Sequence, residues 1–175
     1  MNEVNVNNGK FSKKQMIDIF ECFLLASNIV IFKKENKFNN FIEYDIEIDG
    51  RVLTLNVFLK NITNSGWAEK ITKKRIQVPG KDLQNLIPNS KEYINLLIGI
   101  CLVNNEPIFV VWNPFNFQFH KTNRSCYTNV YDIAKTSFLG FHIGIEARKK
   151  LYYCDKINFK KLLKTYIEKN SRETI

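Results

Sequence analysis

Two stretches of the chain concentrate the residue types that recognise a polyanion. Gly66–Gln77 carries Lys70, Lys73, Lys74 and Arg75 against the single acid Glu69, with Ser65, Trp67, Thr72 and Gln77 beside the cations. Asn113–Tyr127 carries Lys121 and Arg124 with Asn116, Gln118, His120, Thr122, Asn123, Ser125 and Tyr127, and no Asp or Glu falls between Pro107 and Tyr131. Lys and Arg neutralise phosphates and release counterions, while Arg, Asn and Gln can make paired bonds to base edges. Either stretch alone is also what an ordinary polar loop looks like. Two of matching chemistry, flanking one apolar strand pair, point to nucleic acid. Lys70, Lys73, Lys74, Lys121 and Arg124 suit phosphates or guanines; Arg75, Gln77, Asn116, Gln118 and Asn123 suit base edges. Aromatics in the second stretch leave open the stacking of unpaired bases, although Trp112 and Phe115 read as anchors.

Catalytic constellations are weak by comparison. The histidines are His120 and His142, and neither a G-x-S-x-G, a P-loop nor a G-x-G-x-x-G is present. The E-x-K pattern of nuclease cores occurs once, at Glu35-Asn36-Lys37 in a polar stretch, with Asp18 on a helix upstream. Glu43, Asp45, Glu47 and Asp49 line one face of a strand, which reads as a solvated row of acids with a metal-dependent nuclease as the sharper alternative. Cys126 near His120 is a conceivable nucleophile. The expectation is a chain that is not itself an enzyme and takes no metal or cofactor.

A length of 175 residues suits one domain with a sizeable core, and 45% hydrophobic content with 14 Phe and 7 Tyr argues for a folded protein. The net charge of +9 and pI near 9.4 favour a negative partner. Cys22, Cys101, Cys126 and Cys154 form no C-x-x-C pair, so structural zinc is not expected. The start, MNEVNVNNGK, lacks a signal-peptide core, and no apolar run reaches membrane-spanning length. These features predict a cytoplasmic, reduced protein with no membrane role.

Residues 1–11 read as loose, and Ser12 as the cap of a helix over Lys13–Ser27 with Met16, Phe20, Phe23 and Leu24 inward. Ile29–Phe32 is a short apolar run followed by a solvated loop. A period of two begins at Phe41, Asp49-Gly50 makes a hairpin turn, and Arg51–Thr63 returns with Leu53, Leu55 and Val57 on one face. Arg75–Pro79 is a short strand with Ile76 and Val78 inward and Arg75 and Gln77 outward. A short helix is predicted over Lys81–Ile87, a central strand over Tyr93–Val103, and its return over Ile108–Trp112. Thr128–Ile133 reads as a strand, Ala134–Leu139 as a helix ended by Gly140, Phe141–Ile145 and Leu151–Cys154 as a hairpin, and Phe159–Glu168 as a basic amphipathic helix. The fold class is mainly β with helical additions (α+β), built on a barrel-like core.

The order of these elements, with "NIT-x-S-G", "K-R-I-Q", "LLIGICL…PIFVVWNPF" and "TNVYDI", resembles the B3-like DNA-recognition domains joined to bacterial restriction enzymes. These include the N-terminal domain of EcoRII and the DNA-binding subunits of LlaJI-type, McrB-related systems. The resemblance covers roughly 52–167. It implies a pseudobarrel of about seven strands with N- and C-terminal helices, and two arms that enter the major groove of double-stranded DNA. Here those arms would be Ser65–Arg75 and Phe115–Tyr127. The helix Lys13–Ser27 and the acid-faced strand are not part of the family's pattern. The chain is expected to divide into a helical extension over 1–40, the DNA-binding pseudobarrel over 41–168 and a tail or linker toward a downstream domain over 169–175. The expected role is target recognition in a restriction–modification system, with a nuclease or motor GTPase as partner. The alternatives are a sensor of methylated or otherwise modified bases and the small nuclease named above.

Overall fold

The computed structural model describes residues 4–37, 39–117 and 122–171. In chain order its elements are β1 (Val6–Asn7), α1 (Lys13–Ala26), β2 (Val30–Asn36), β3 (Ile42–Ile48), β4 (Arg51–Asn61), β5 (Thr63–Asn64) and β6 (Lys73–Val78). A 3-10 turn at Gly80–Leu83 leads to β7 (Tyr93–Val103) and β8 (Glu106–Trp112), and a second at Pro114–Phe117 precedes β9 (Arg124–Asn129). The chain continues through α2 (Val130–Leu139), β10 (Phe141–Glu146), β11 (Lys149–Cys154) and α3 (Phe159–Asn170).

Why β7 reads as an unbroken apolar run is explained by its place. It lies inside a sheet ordered β10-β11-β8-β7-β4-β3-β2, with β1 also paired to β7, and both faces of that sheet are covered. Ile94, Leu96, Ile98 and Ile100 face one core, closed by α1 and α3. Leu97, Cys101 and Val103 face the other, which includes Ile76 and Val78 of β6, Cys126 of β9 and Ile133 of α2. The β4·β7 pair is parallel and the remaining neighbours are antiparallel. A second sheet, β5-β6-β9, lies over that second core.

The predicted class, mainly β with helical additions, is what forms. The terminal helices are present: Ser12 caps α1 with a reciprocal Gln15 capping box. α1 is part of the core, since Phe23 stacks on Phe109 of β8 at 3.7 Å between ring centroids. Among the described residues eleven strands stand in place of about seven, in two open sheets. The additional ones are short or poorly marked. Residues 4–11 are held rather than loose, because Val6 and Asn7 pair with Val103 and Leu102. The expected loop after Phe32 is the edge strand β2, whose Lys33, Lys34 and Glu35 are the charges an unpaired edge carries.

Three other boundaries move. The helix expected at Lys81–Ile87 is only the 3-10 turn, with Pro88 close behind. "TNVYDI" is not one strand: Asn129 accepts from the Asp132 N–H, caps α2 and starts the helix at Val130. The loop predicted to reach Tyr127 ends at Arg124, where β9 begins. No helix among the described residues is long and apolar enough to cross a membrane.

Candidate nucleic-acid interface

The two basic, polar stretches meet as neighbouring strands. β6 and β9 pair antiparallel with Arg75 opposite Tyr127 and Gln77 opposite Ser125. Side chains directly across an antiparallel pair share a face. Arg75, Gln77, Ser125 and Tyr127 therefore stand together on the outer face, while Ile76 and Cys126 fill the inner one at 1% and 0% exposure. No residue of β5, β6 or β9 is acidic. Arg75 Nη1 donates to Ser125 Oγ at 3.2 Å, which fixes the guanidinium across the strand junction. A two-stranded β-ribbon is an element that can enter a DNA major groove.

A tryptophan ties this ribbon to the central sheet. Trp112, at the end of β8, is buried and donates through Nε1 to the Tyr127 carbonyl at 3.1 Å. Room for its ring comes from Gly99 of β7. A Cβ there would stand 2.8 Å from Trp112 Cζ3 and 2.6 Å from Ile62 Cγ1. Trp112 thus anchors the ribbon, in keeping with its reading as an anchor.

The loop between β5 and β6 forms one rim. Gly66 adopts a φ of +81°, a conformation that favours glycine, and lets the chain turn. Trp67 is half exposed, packs on Tyr127 at 5.2 Å between centroids, and lies under Lys70 Nζ at 4.5 Å. The tip of the first stretch therefore rests on the second. Thr72 is half-buried, and its carbonyl accepts from the Val130 N–H at the start of α2. Opposite, Asn116 is exposed within the 3-10 turn Pro114–Phe117, and Thr122 and Asn123 are exposed before β9. Gln118, His120 and Lys121 lie outside the described residues.

Burial takes two expected contacts off this surface. Lys74 follows Ile76 and Val78 to the inner face, where its Nζ donates to Asn8 Oδ1 at 2.7 Å and Asn64 Oδ1 at 2.8 Å. Desolvation holds its pKa below the ordinary lysine value. Alternation along β6 carries that information in the sequence. Ser65 is buried too; its hydroxyl accepts from the Trp67 N–H at 3.3 Å and shapes the loop. Lys73 faces outward but pairs with Glu146 of β10 at 2.6 Å, a partner 73 residues away that no local pattern reveals. Arg124 lies opposite Val78, toward the inner side, half-buried with its Nε unpartnered among the described residues.

Among the described residues the rival chemistries do not assemble. Cys126 is fully buried and burial pushes its thiol up to about 12, so it is no nucleophile. Glu43 pairs with Lys37 at 3.2 Å and accepts from Tyr93 Oη at 3.0 Å, and Asp45 accepts from Thr54 Oγ1 at 2.7 Å. Asp49 turns away to Lys160 and Lys164 of α3. Glu35 of the E-x-K sits exposed on β2, paired with Lys33 at 3.4 Å. Among the described residues no group of three or more His, Cys, Asp or Glu is placed to hold a metal ion.

A family model described as "Methylase-associated X1" matches residues 53–160, more than half of the chain. The chain belongs to the methylase-associated X1 family. The match runs from within β4 to the first turn of α3, so this X1 segment contains both basic, polar stretches and the strands that join them. The family's association with methylases fits a role related to restriction–modification. No curated protein and no solved structure matches the chain.

Proposed function

We propose that this X1 domain binds double-stranded DNA sequence-specifically, as the target-recognition unit of a restriction–modification system. The outer face of the β6·β9 ribbon reads base edges in the major groove. The loop Ser65–Thr72 and, on the other side, Asn113–Phe117 with Thr122 and Asn123 flank that ribbon and hold the backbone. The observation that carries this reading is the strand pairing that puts Arg75, Gln77, Ser125 and Tyr127 on one outer face, on strands that themselves carry no acid. Its polar atoms are those that read bases, and Arg75 is held in place before any ligand arrives.

The B3-like resemblance supports the same arrangement, with both loops as arms. The chain works without catalysis of its own, targeting a nuclease or motor GTPase supplied by other parts of the system. Selection from a random duplex pool tests this directly. The expected result is one enriched site, bound at moderate salt and weakened by both Arg75→Ala and Gln77→Ala. An unenriched pool, or a site bound equally well by both variants, would refute the reading.

A further inference from the structure

Next to this face, on the far side of the β10–β11 hairpin tip, lies an open cleft of about 690 Å³. Arg148, Lys149, Lys150 and Lys169 line it, and none of its lining residues is acidic. Among the described residues, no carboxylate pairs with Arg148, Lys150 or Lys169, and all three are exposed. Lys169 is favourably placed in the last turn of α3 whatever the cleft does. Arg148 and Lys150 have no such account, and four cations around one concavity raise each other's energy until an anion enters.

The floor is preorganised. Asn113 Nδ2 donates to Asn170 Oδ1 at 2.9 Å, and Asn170 Nδ2 donates to Tyr152 Oη at 3.1 Å. These amides are consumed in holding the second stretch to α3, so the cleft offers charge rather than base-reading groups. Lys149 joins it to the recognition face: its Nζ donates to the Asn116 carbonyl at 3.2 Å and lies 4.1 Å from the Phe117 ring centroid. Glu146, opposite Lys149 in the hairpin, holds Lys73 of β6. These two contacts bring the hairpin against both stretches of the recognition face.

We infer that the cleft is a second phosphate-binding site, which takes the sugar–phosphate backbone of the DNA beyond the bases read by the ribbon. This rests on the proposed DNA reading but assigns different residues a different task. Phosphate contacts position a duplex and carry no sequence information, so cleft and ribbon are separable by experiment.

The experiment is a titration of the full chain with its selected duplex and an unrelated duplex, across a range of salt. The wild type is compared with K150Q/K169Q, two exposed changes that break none of the hydrogen bonds above. The double variant is expected to weaken both duplexes by the same factor. It is also expected to lower the magnitude of the salt slope by about 1.8, about 0.9 for each lost contact. An unchanged slope in a variant whose wild type binds the selected site would overturn the cleft alone. A wild type without sequence preference, whose slope still falls in the variant, would overturn the recognition reading and leave the cleft standing. Inorganic pyrophosphate separates the two sources of phosphate: it should compete with DNA, and saturable binding without competition would overturn the backbone assignment.

Discussion

Arg75 on β6 and Ser125 on β9 are joined side chain to side chain, Nη1 to Oγ at 3.2 Å, at the centre of the outer ribbon face. The serine spends one of the guanidinium's five donors and steers the remainder. Arg75 Nε is buried without a partner among the described residues, so the group's freedom is small and its outward donors are preset.

A base-reading arginine held this way should specify one or two positions of the target. Arg75→Ala is expected to cost about 1–3 kcal/mol at those positions and to leave discrimination elsewhere intact. Arg75→Lys should not rescue it, because an ammonium lacks the planar fork that matches guanine. Competition among single-base variants of the selected site measures this. A uniform loss over all positions would reassign Arg75 to the backbone.

Glu146 holds Lys73 at 2.6 Å with both side chains mostly buried. Removing the acid frees a cation at the edge of the ribbon. Glu146→Gln is therefore expected to tighten DNA binding and steepen the salt slope by about 0.9, the share of one phosphate. Unaltered salt dependence would mean that Lys73 stays off the backbone.

Residue periodicity made much of this face legible. Alternation in Arg75-Ile76-Gln77-Val78 gives the outward pair and, extended one step, the burial of Lys74. The contrast of β7 with β3 likewise signals two covered faces against one. What could not be read is long-range pairing. The two stretches show the same chemistry in sequence, but their hydrogen-bonded register depends on Trp112 and on a loop whose length hides the start of β9. Lys73–Glu146 and Lys149–Asn116 join segments far apart in the chain, and no local pattern encodes them. The edge strand β2 was hidden by its own charges, which are the solution to an exposed edge and look like a loop.

Packing between Gly99, Ile62 and Trp112 should couple core stability to the binding face. Gly99→Ala forces a methyl to 2.8 Å from the Trp112 ring. Overpacking of this kind costs about 1–3 kcal/mol. Trp112→Phe removes the Nε1 bond to the Tyr127 carbonyl, a buried hydrogen bond worth about 1 kcal/mol before the lost packing is counted. Denaturant titration checks both. DNA affinity should fall in each variant at temperatures where the chain is still fully folded, since β9 loses its tether.

Thiol chemistry offers a check on the inner face. Cys101, Cys126 and Cys154 are fully buried; burial pushes Cys101 and Cys126 up to about 12, and Cys154 well above its ordinary value. Cys22 on α1 is exposed. One equivalent of a thiol reagent should react rapidly under native conditions, at Cys22, and the other three only on unfolding. Fast modification of Cys126 would contradict its place beneath the ribbon.

His142 gives stability a dependence on pH. Its ring stacks on Tyr153 at 4.6 Å with planes 2° apart. Burial pulls its pKa below the ordinary 6.5, and Asp132, 3.4 Å from Nε2, offsets this only in part. A folded pKa below the unfolded one means that the unfolded chain takes up the proton first as pH falls. The contribution is therefore constant above about 6.5 and is lost as pH drops from there toward the folded value, at no more than about 1.4 kcal/mol per pH unit. His142→Phe keeps a ring against Tyr153 and removes the titration. Its unfolding free energy should decline less steeply than that of the wild type between about pH 7.5 and 5.5, the window around the unfolded histidine value. His120 is common to both proteins, so the difference between the two curves isolates His142. Parallel curves would show that the folded state binds this proton as readily as the unfolded chain does.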